Sequence, residues 1–241
     1  MSSTIASLVA DSLIANNIKN LYCVPGVQND HFFDAIFDRQ EDLTPIHARH
    51  EQGAVYMALG AALATGKPQA FSLVPGPGFL NGCAALCTAY ALNAPLFGVI
   101  GQIPSQAIGK EIGHLHEIEG QLETLRTLTK HADRIIGGTD AMTQLDTAWT
   151  TLLSGRPRPV AIEVPVDRWL QQTHYETTEL TLQNPVSPSV DAVQIAAAAA
   201  LITPRTRAIA LVSPNNPGGV EYPGALVRDF FDLAKSRGIK L

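Results

Sequence analysis

Short apolar runs recur through the first two thirds of the chain, each closed by Gly or Pro and followed by a segment with helical spacing, and few folds accommodate that alternation. The runs are Asn20–Val24, Thr44–Ile46, Gln69–Val74, Pro95–Ile100, Asp133–Ile136 and Pro159–Val164. A first helix capped by Thr4 or a neighbouring Ser runs through about Asn17. Others follow from Asn29 or Asp30, from Glu51, over Phe79–Leu92 and over Asp140–Leu153. In the second of these, Phe32, Phe33, Ile36 and Phe37 recur at core spacing. The pattern predicts an α/β fold, a doubly wound and mainly parallel sheet with helices on both faces. Ligands of such sheets sit beyond the carboxyl ends of the strands, where Pro25, Gly26, Glu51, Gly76, Pro77, Gly78 and Gln102 all fall.

The segment Ile46–Gly66 places one carboxylate, Glu51, at the head of a helix made otherwise of apolar and small residues. Without a polar face the helix should be buried nearly all round. A carboxyl at the mouth of so apolar an element would be desolvated, which favours holding or sharing a proton. The plainer reading is that Glu51 favours the positive end of the helix dipole. Gly66 supplies a left-handed stop.

Hydrophobic residues make up 46% of the 241 and charged residues 16%, a balance suited to close-packed helices on a buried sheet. The net charge of −5 and the absence of a basic run argue against nucleic acid as a partner. No membrane-spanning segment is expected, and the N-terminus lacks the basic region of a signal peptide. Cys23, Cys83 and Cys87 form no CxxC pair, which fits a reducing, cytoplasmic location; Cys83 and Cys87 share one helix face and read as small core residues.

From Leu170 the composition turns to Gln, Thr, Glu, Pro and Ser. The expected organisation is a domain over 1–170, a linker over 171–189 and an incomplete α/β segment over 190–241. That last segment should hold an Ala-rich helix (Val190–Ile202), a strand (Ala208–Val212), a turn-rich loop (Ser213–Gly219), a helix (Ala225–Arg237) and the start of another strand at Ile239.

Familiar motifs are mostly excluded. PGPGFLNG lacks the glycine spacing and the later acid of a dinucleotide loop, and no GxxxxGK[ST] occurs. His47, His50 and Glu51 spell HxxHE, which is no zincin motif. His114, His116 and Glu117 lie in a long loop and read as polar decoration, so no metal site is expected.

Taken in order, however, the pieces resemble a known family. VPG (Val24–Gly26), RHEQGAVYMA (Arg49–Ala58), GPG (Gly76–Gly78), GQIP (Gly101–Pro104), TKH (Thr129–His131) and RPRPVAIEVPVD (Arg156–Asp167) look like the pyrimidine-binding domain of thiamine diphosphate enzymes of the acetolactate synthase and benzoylformate decarboxylase type. The resemblance covers about residues 4–170. It implies that Glu51 hydrogen-bonds N1′ of the aminopyrimidine, favouring the imino tautomer that activates the thiazolium C2. It also implies that Pro25 and Gly26 lie near the pyrimidine, that Gly76, Pro77 and Gly78 lie beside the cofactor, and that Gln102 faces the active site. The implied reaction is decarboxylation of a small 2-oxo acid, with or without carboligation, by a lyase or transferase.

Leu115-His116-Glu117 stands where acetolactate synthases carry Phe-Gln-Glu, which leaves substrate choice and a structural flavin (FAD) open and suggests His116 as a substrate contact. The family binds diphosphate and Mg²⁺ through a separate GDG-containing domain, and no GDG occurs here. The expectation is half an active site: a truncated or chimeric chain, inactive alone, that completes the site as a homodimer or with a diphosphate-binding subunit. A rival reading is a non-catalytic or split-subunit binding module. From about Thr203 the tail is similar to fold-type I aminotransferases, with Asn216 at the position that contacts the pyridoxal ring and Ser213 and Gly218 departing from the pattern. The family's Schiff-base Lys has no counterpart in the chain, so pyridoxal phosphate chemistry is not expected.

Overall fold

A computed structural model of the protein describes residues 3–176, 180, 192–211 and 224–240. The chain divides into two compact units, Met1–Leu153 with Pro157–Pro185, and Val186–Leu241 with Ser154–Arg156.

In the first unit, β1 (Ser3–Thr4) leads into α1 (Ile5–Ala15), β2 (Asn20–Cys23), a short 3₁₀ turn (Val27–Asn29), α2 (Asp30–Phe37) and β3 (Thr44–His47). Then follow α3 (Glu51–Thr65), β4 (Gln69–Leu73), α4 (Pro77–Ala91), β5 (Leu96–Gln102) and α5 (Gln121–Leu128). The unit continues with β6 (His131–Arg134), α6 (Gly138–Leu153), β7 (Val160–Pro165) and β8 (Gln172–Thr173). Six strands form one sheet in the order β3-β2-β4-β5-β7-β6, every neighbouring pair parallel. The expected doubly wound sheet is present.

Both faces of the sheet are covered. One core gathers α1, α2 and α6 around Leu8, Phe32, Phe97 and Trp149; the other gathers α3, α4 and α5 around Val55, Phe71, Phe79 and Leu125. All seven residues of β5 are buried, which explains why it reads as a continuous apolar run. The chain moves outward from β2 to β3, then crosses back to β4 and proceeds the other way. The reversal opens a crevice between the carboxyl ends of β2 and β4, the topological switch point where such sheets bind ligands.

Local signals act as expected at several ends. The Thr4 hydroxyl accepts from Ser7 N at 3.2 Å, and Gly66 closes α3 at φ 67° with its N–H on Ala62 O. Asn29 precedes α2 but does not cap it with its side chain. Its amide instead donates to Ser72 Oγ (3.2 Å) and Leu73 O (3.0 Å), tying the 3₁₀ turn to β4.

Several expectations need correction. Phe37, at core spacing, is 69% exposed because α2 ends there and only its Phe32–Ile36 side faces the sheet. Helix α3 is not buried all round: Tyr56, Met57 and Leu63 are exposed, since the sheet and α4 cover only the opposite side. Cys87 is exposed on α4, while Cys23 is buried, and burial pushes its thiol up to about 11. Helix α5 is an addition to the expected elements. Residues 172–173, expected within a linker, pair as β8 with β1, and Thr173 donates to Gly138 O at 2.7 Å.

The second unit contains α7 (Ala192–Ala200) and α8 (Gly224–Ser236). The strands expected at Ala208 and after Ile239 are represented among the described residues by one parallel bridge, Ala208 with Lys240, in which Ile209 N donates to Lys240 O at 2.8 Å. The loop Ser213–Gly219, including Asn216, lies outside the described residues.

Candidate active site

Strand β2 ends at Cys23 and releases the chain through Pro25 and Gly26; β4 ends at Leu73 and releases it through Val74 to Gly78. Val74 stands between these two exits. A Cβ on Gly26 would lie 2.7 Å from Val74 Cγ1, and one on Gly78 would lie 2.5 Å from Val74 Cγ2. Any larger residue at 26 or 78 would have to displace that branched side chain, so packing within the chain already demands glycine at both positions.

Gly76 is constrained more severely. It sits at φ 58°, ψ −121°, a conformation that L side chains rarely adopt, and its Cβ would meet the backbone oxygen of His116 at 2.3 Å. Its N–H donates to Gln121 Oε1 at 2.8 Å. Pro77 then opens α4, where its missing N–H costs nothing.

Glu51 is the first residue of α3 and is half-buried. Its Oε2 accepts from Asn81 Nδ2 at 3.0 Å, and its Oε1 lies 3.6 Å from the position a Cβ on Gly78 would take. Among the described residues Oε1 has no hydrogen-bond partner. Glu51, Gly78, Gly76 and Gly26 are therefore gathered at the switch point, through Val74 and the turn that starts α4. The dipole benefit at the head of α3 is available to Glu51 as well.

His116 has φ 69°, and its Nδ1 is 3.3 Å from Gln28 Oε1; Gln28 in turn donates to Leu115 O at 3.4 Å. These contacts bring the loop before α5 against Gly76 and the turn after Gly26. Glu117 accepts from Gly113 N (2.7 Å) and His114 N (2.8 Å). The His114 N–H above all, with that of Gly113, holds the Glu117 carboxyl below its ordinary range against the opposing effect of desolvation. Among the described residues no group of His, Cys, Asp and Glu could hold a metal.

Gln102 lies in a buried network. Its Nε2 donates to Glu163 Oε1 at 2.9 Å and its Oε1 accepts from Ile103 N at 2.7 Å. Glu163, fully buried within β7, also receives Gln121 Nε2 at 2.7 Å and Arg134 Nε. A cavity of about 220 Å³ beside this network is lined by Gln102, Gln121, Arg134, Glu117 and Glu123 among others.

Sequence reasoning missed Val74, Asn81, Gln121 and Glu163. Glu163 carried a signal, a lone acid within the apolar strand VAIEVP. Gln121 carried none, because the sequence around it does not announce its helix.

A family model described as the N-terminal TPP binding domain of thiamine pyrophosphate enzymes matches residues 3–125. The probable acetolactate synthase large subunit of Methanocaldococcus jannaschii is 33% identical over 162 residues, covering 67% of this chain and 27% of that protein. The acetolactate synthase isozyme 1 large subunit of Escherichia coli is 29% identical over 231 residues, covering 95% of this chain and 40% of that protein. Among solved structures, the thiamine diphosphate-dependent 4-hydroxybenzoylformate decarboxylase of Rhodococcus jostii shares the fold with a TM-score of 0.71 at 22% identity, over 82% of this chain and 37% of that one. The chain thus spans between a quarter and two fifths of the length of these proteins. It belongs to the thiamine pyrophosphate enzymes, whose N-terminal TPP binding domain it carries.

Proposed function

We propose that this chain supplies the pyrimidine-binding half of a thiamine diphosphate-dependent 2-oxo acid decarboxylase or carboligase of the acetolactate synthase type. The observation that carries the reading is the position of Glu51, its Oε2 fixed by Asn81 and its Oε1 open beside Gly78 at the switch point. In this role Glu51 holds or accepts a proton at N1′ of the pyrimidine, while the Gly76–Gly78 turn and Pro25-Gly26 set the backbone around the ring. When bound, thiamine diphosphate would supply a nucleophilic carbon that attacks the 2-oxo group and then accepts electrons as CO₂ leaves. His116 lies against the same turn and is the proposed substrate contact. Gln102 is engaged by Glu163 and Ile103 N, so its proposed part is to shape the end of β5 rather than to touch the ring.

The diphosphate and its Mg²⁺ belong, in this reading, to another domain, because the sequence contains no GDG. Helices α3 and α4 offer a surface for it. Tyr56, Met57 and Leu63 on α3 and Leu80 on α4 are exposed, each more than a third accessible. The proposed partner that completes the site is a second copy of the protein or a subunit that carries the diphosphate-binding domain. The domain limits proposed are a pyrimidine-binding unit ending beyond β8 and a separate α/β segment after it.

The test is CO₂ release from pyruvate with thiamine diphosphate and Mg²⁺. The purified chain alone should give none, and addition of a GDG-containing subunit that co-purifies with it should give turnover that Glu51→Gln abolishes. Turnover by the chain alone would overturn the proposed division of labour. Full activity of Glu51→Gln in the assembly would overturn the assignment of Glu51.

A further inference from the structure

The buried acid Glu163 does no work in the function proposed above, yet it reaches both loops that frame the site. A carboxylate only accepts hydrogen bonds, so an amide facing it must present its NH₂ group. Glu163 Oε1 faces two amides, Gln102 Nε2 at 2.9 Å and Gln121 Nε2 at 2.7 Å, and Arg134 Nε engages the other oxygen. Gln121 Nε2 also donates to Gly101 O at 3.0 Å, a second group that can only accept. Both amides are thereby locked in one sense, with their oxygens turned away from Glu163. Those oxygens take the N–H groups of Gly76 (2.8 Å) and Ile103 (2.7 Å), just beyond β4 and at the end of β5.

We propose that Gln121, oriented by Glu163, is the positioning residue of the Gly76–Gly78 turn and, through the start of α4, of the Asn81–Glu51 contact. Gln121 is 1% exposed and Glu163 fully buried, so loss of either partner leaves a buried polar group to be satisfied anew. Gly76 needs such an anchor, because it stands before the first residue of α4 and its N–H has no acceptor within the helix. Leu80 N donates to Gly76 O at 2.9 Å, so the placement of Gly76 sets the first turn of α4. Asn81 follows one residue later and holds Glu51 Oε2. The role rests on the proposed function, since it matters to catalysis only if Glu51 is the residue that meets the cofactor.

The experiment is read on the full 241-residue chain without cofactor, by NMR of the Gly76 amide and the Asn81 side-chain NH₂. Gln121→Met keeps the bulk and removes the hydrogen bonds. It should speed Gly76 amide exchange at least about tenfold, the loss of one hydrogen bond, and shift the Asn81 signal, while the amide of Val99 in β5 exchanges as before. Gln121→Glu should have a larger effect, because it sets a carboxylate against Glu163. The reciprocal pair Gln121→Glu with Glu163→Gln restores a donor facing an acceptor and should recover much of the Gly76 protection, an outcome that general damage to the fold would not give. Gln102→Met, which removes the other arm, should leave Gly76 unchanged. Unchanged Gly76 exchange in Gln121→Met, or an unmoved Asn81 signal, would overturn the proposal. So would equal acceleration at Gly76 and Val99, or a reciprocal pair no better than Gln121→Glu. These outcomes do not depend on thiamine binding, whereas the proposed function stands or falls on Glu51→Gln in the assembled enzyme.

Discussion

Asn81 on α4 donates a 3.0 Å hydrogen bond to Glu51 on α3, and this contact joins the candidate catalytic carboxylate to the helix that begins at the glycine turn. Asn81→Ala should lower CO₂ release by the assembled enzyme about tenfold, the scale of one hydrogen bond to a charged group. The stability of the chain should change by less than about 0.5 kcal/mol, because Asn81 is exposed. Paired measurements of turnover and urea midpoint check both halves, and an unchanged rate would remove Asn81 from the site.

Gly76→Ala combines a strained φ with a Cβ placed 2.3 Å from the His116 carbonyl oxygen. It should destabilise the chain by about 2–4 kcal/mol, since backbone rather than a flexible side chain must yield. A Cβ at Gly78 is blocked mainly by Val74, with Glu51 Oε1 at the ordinary distance of 3.6 Å, so combining Gly78→Ala with Val74→Ala should cost less than the sum of the two single changes. Urea unfolding of the single and paired variants is the measurement.

Gly53 and Gly60 lie on the exposed side of α3, where a Cβ on either would meet nothing within 4 Å. Alanine at either should stabilise the isolated chain by roughly 0.5–1 kcal/mol through helix propensity. If a partner packs closely against this face, the same substitutions should weaken its binding. Thermal melts of the chain and titration of the partner should then move in opposite directions.

The lowered Glu117 carboxyl gives a pH dependence with a definite sign. A depressed folded-state value means that its stabilisation is complete above the unfolded value of about 4.3 and is lost as pH falls through the folded one. The Gly113 and His114 amides should therefore exchange faster below about pH 4 than the intrinsic chemistry predicts. In Glu117→Gln that additional acceleration should be absent.

The sheet was legible because its central strands β4, β5 and β7 are buried on both faces and its strands are separated by Gly and Pro, so period and punctuation agree. Glu51 was legible for the opposite reason, as a charge heading an apolar helix. Long-range geometry could not be read in the same way. Gln121 lies 45 residues from Gly76 and 42 from Glu163, and no local pattern distinguishes it from a surface glutamine. The lack of a polar face on α3 implies burial, but the chain itself covers only one side of that helix. The glycines at 26, 76 and 78 suit a close-approaching ligand in the sequence, whereas in the structure Val74 and the His116 backbone already require them.

Strand β7 enters the sheet between β5 and β6 although it is the last of the six in the sequence. Glu163 arrives with it, long after the turn at Gly76 has been synthesised. During synthesis Gln121, the proposed anchor of the turn, must therefore wait for its orienting partner until about ninety residues after Gly76 have been added. A nascent chain halted before β7 would contain every glycine of the turn as well as Glu51, yet the turn would lack its Glu163-oriented clamp. On the proposed role of Gln121, the docking of β7 is the step that sets the turn.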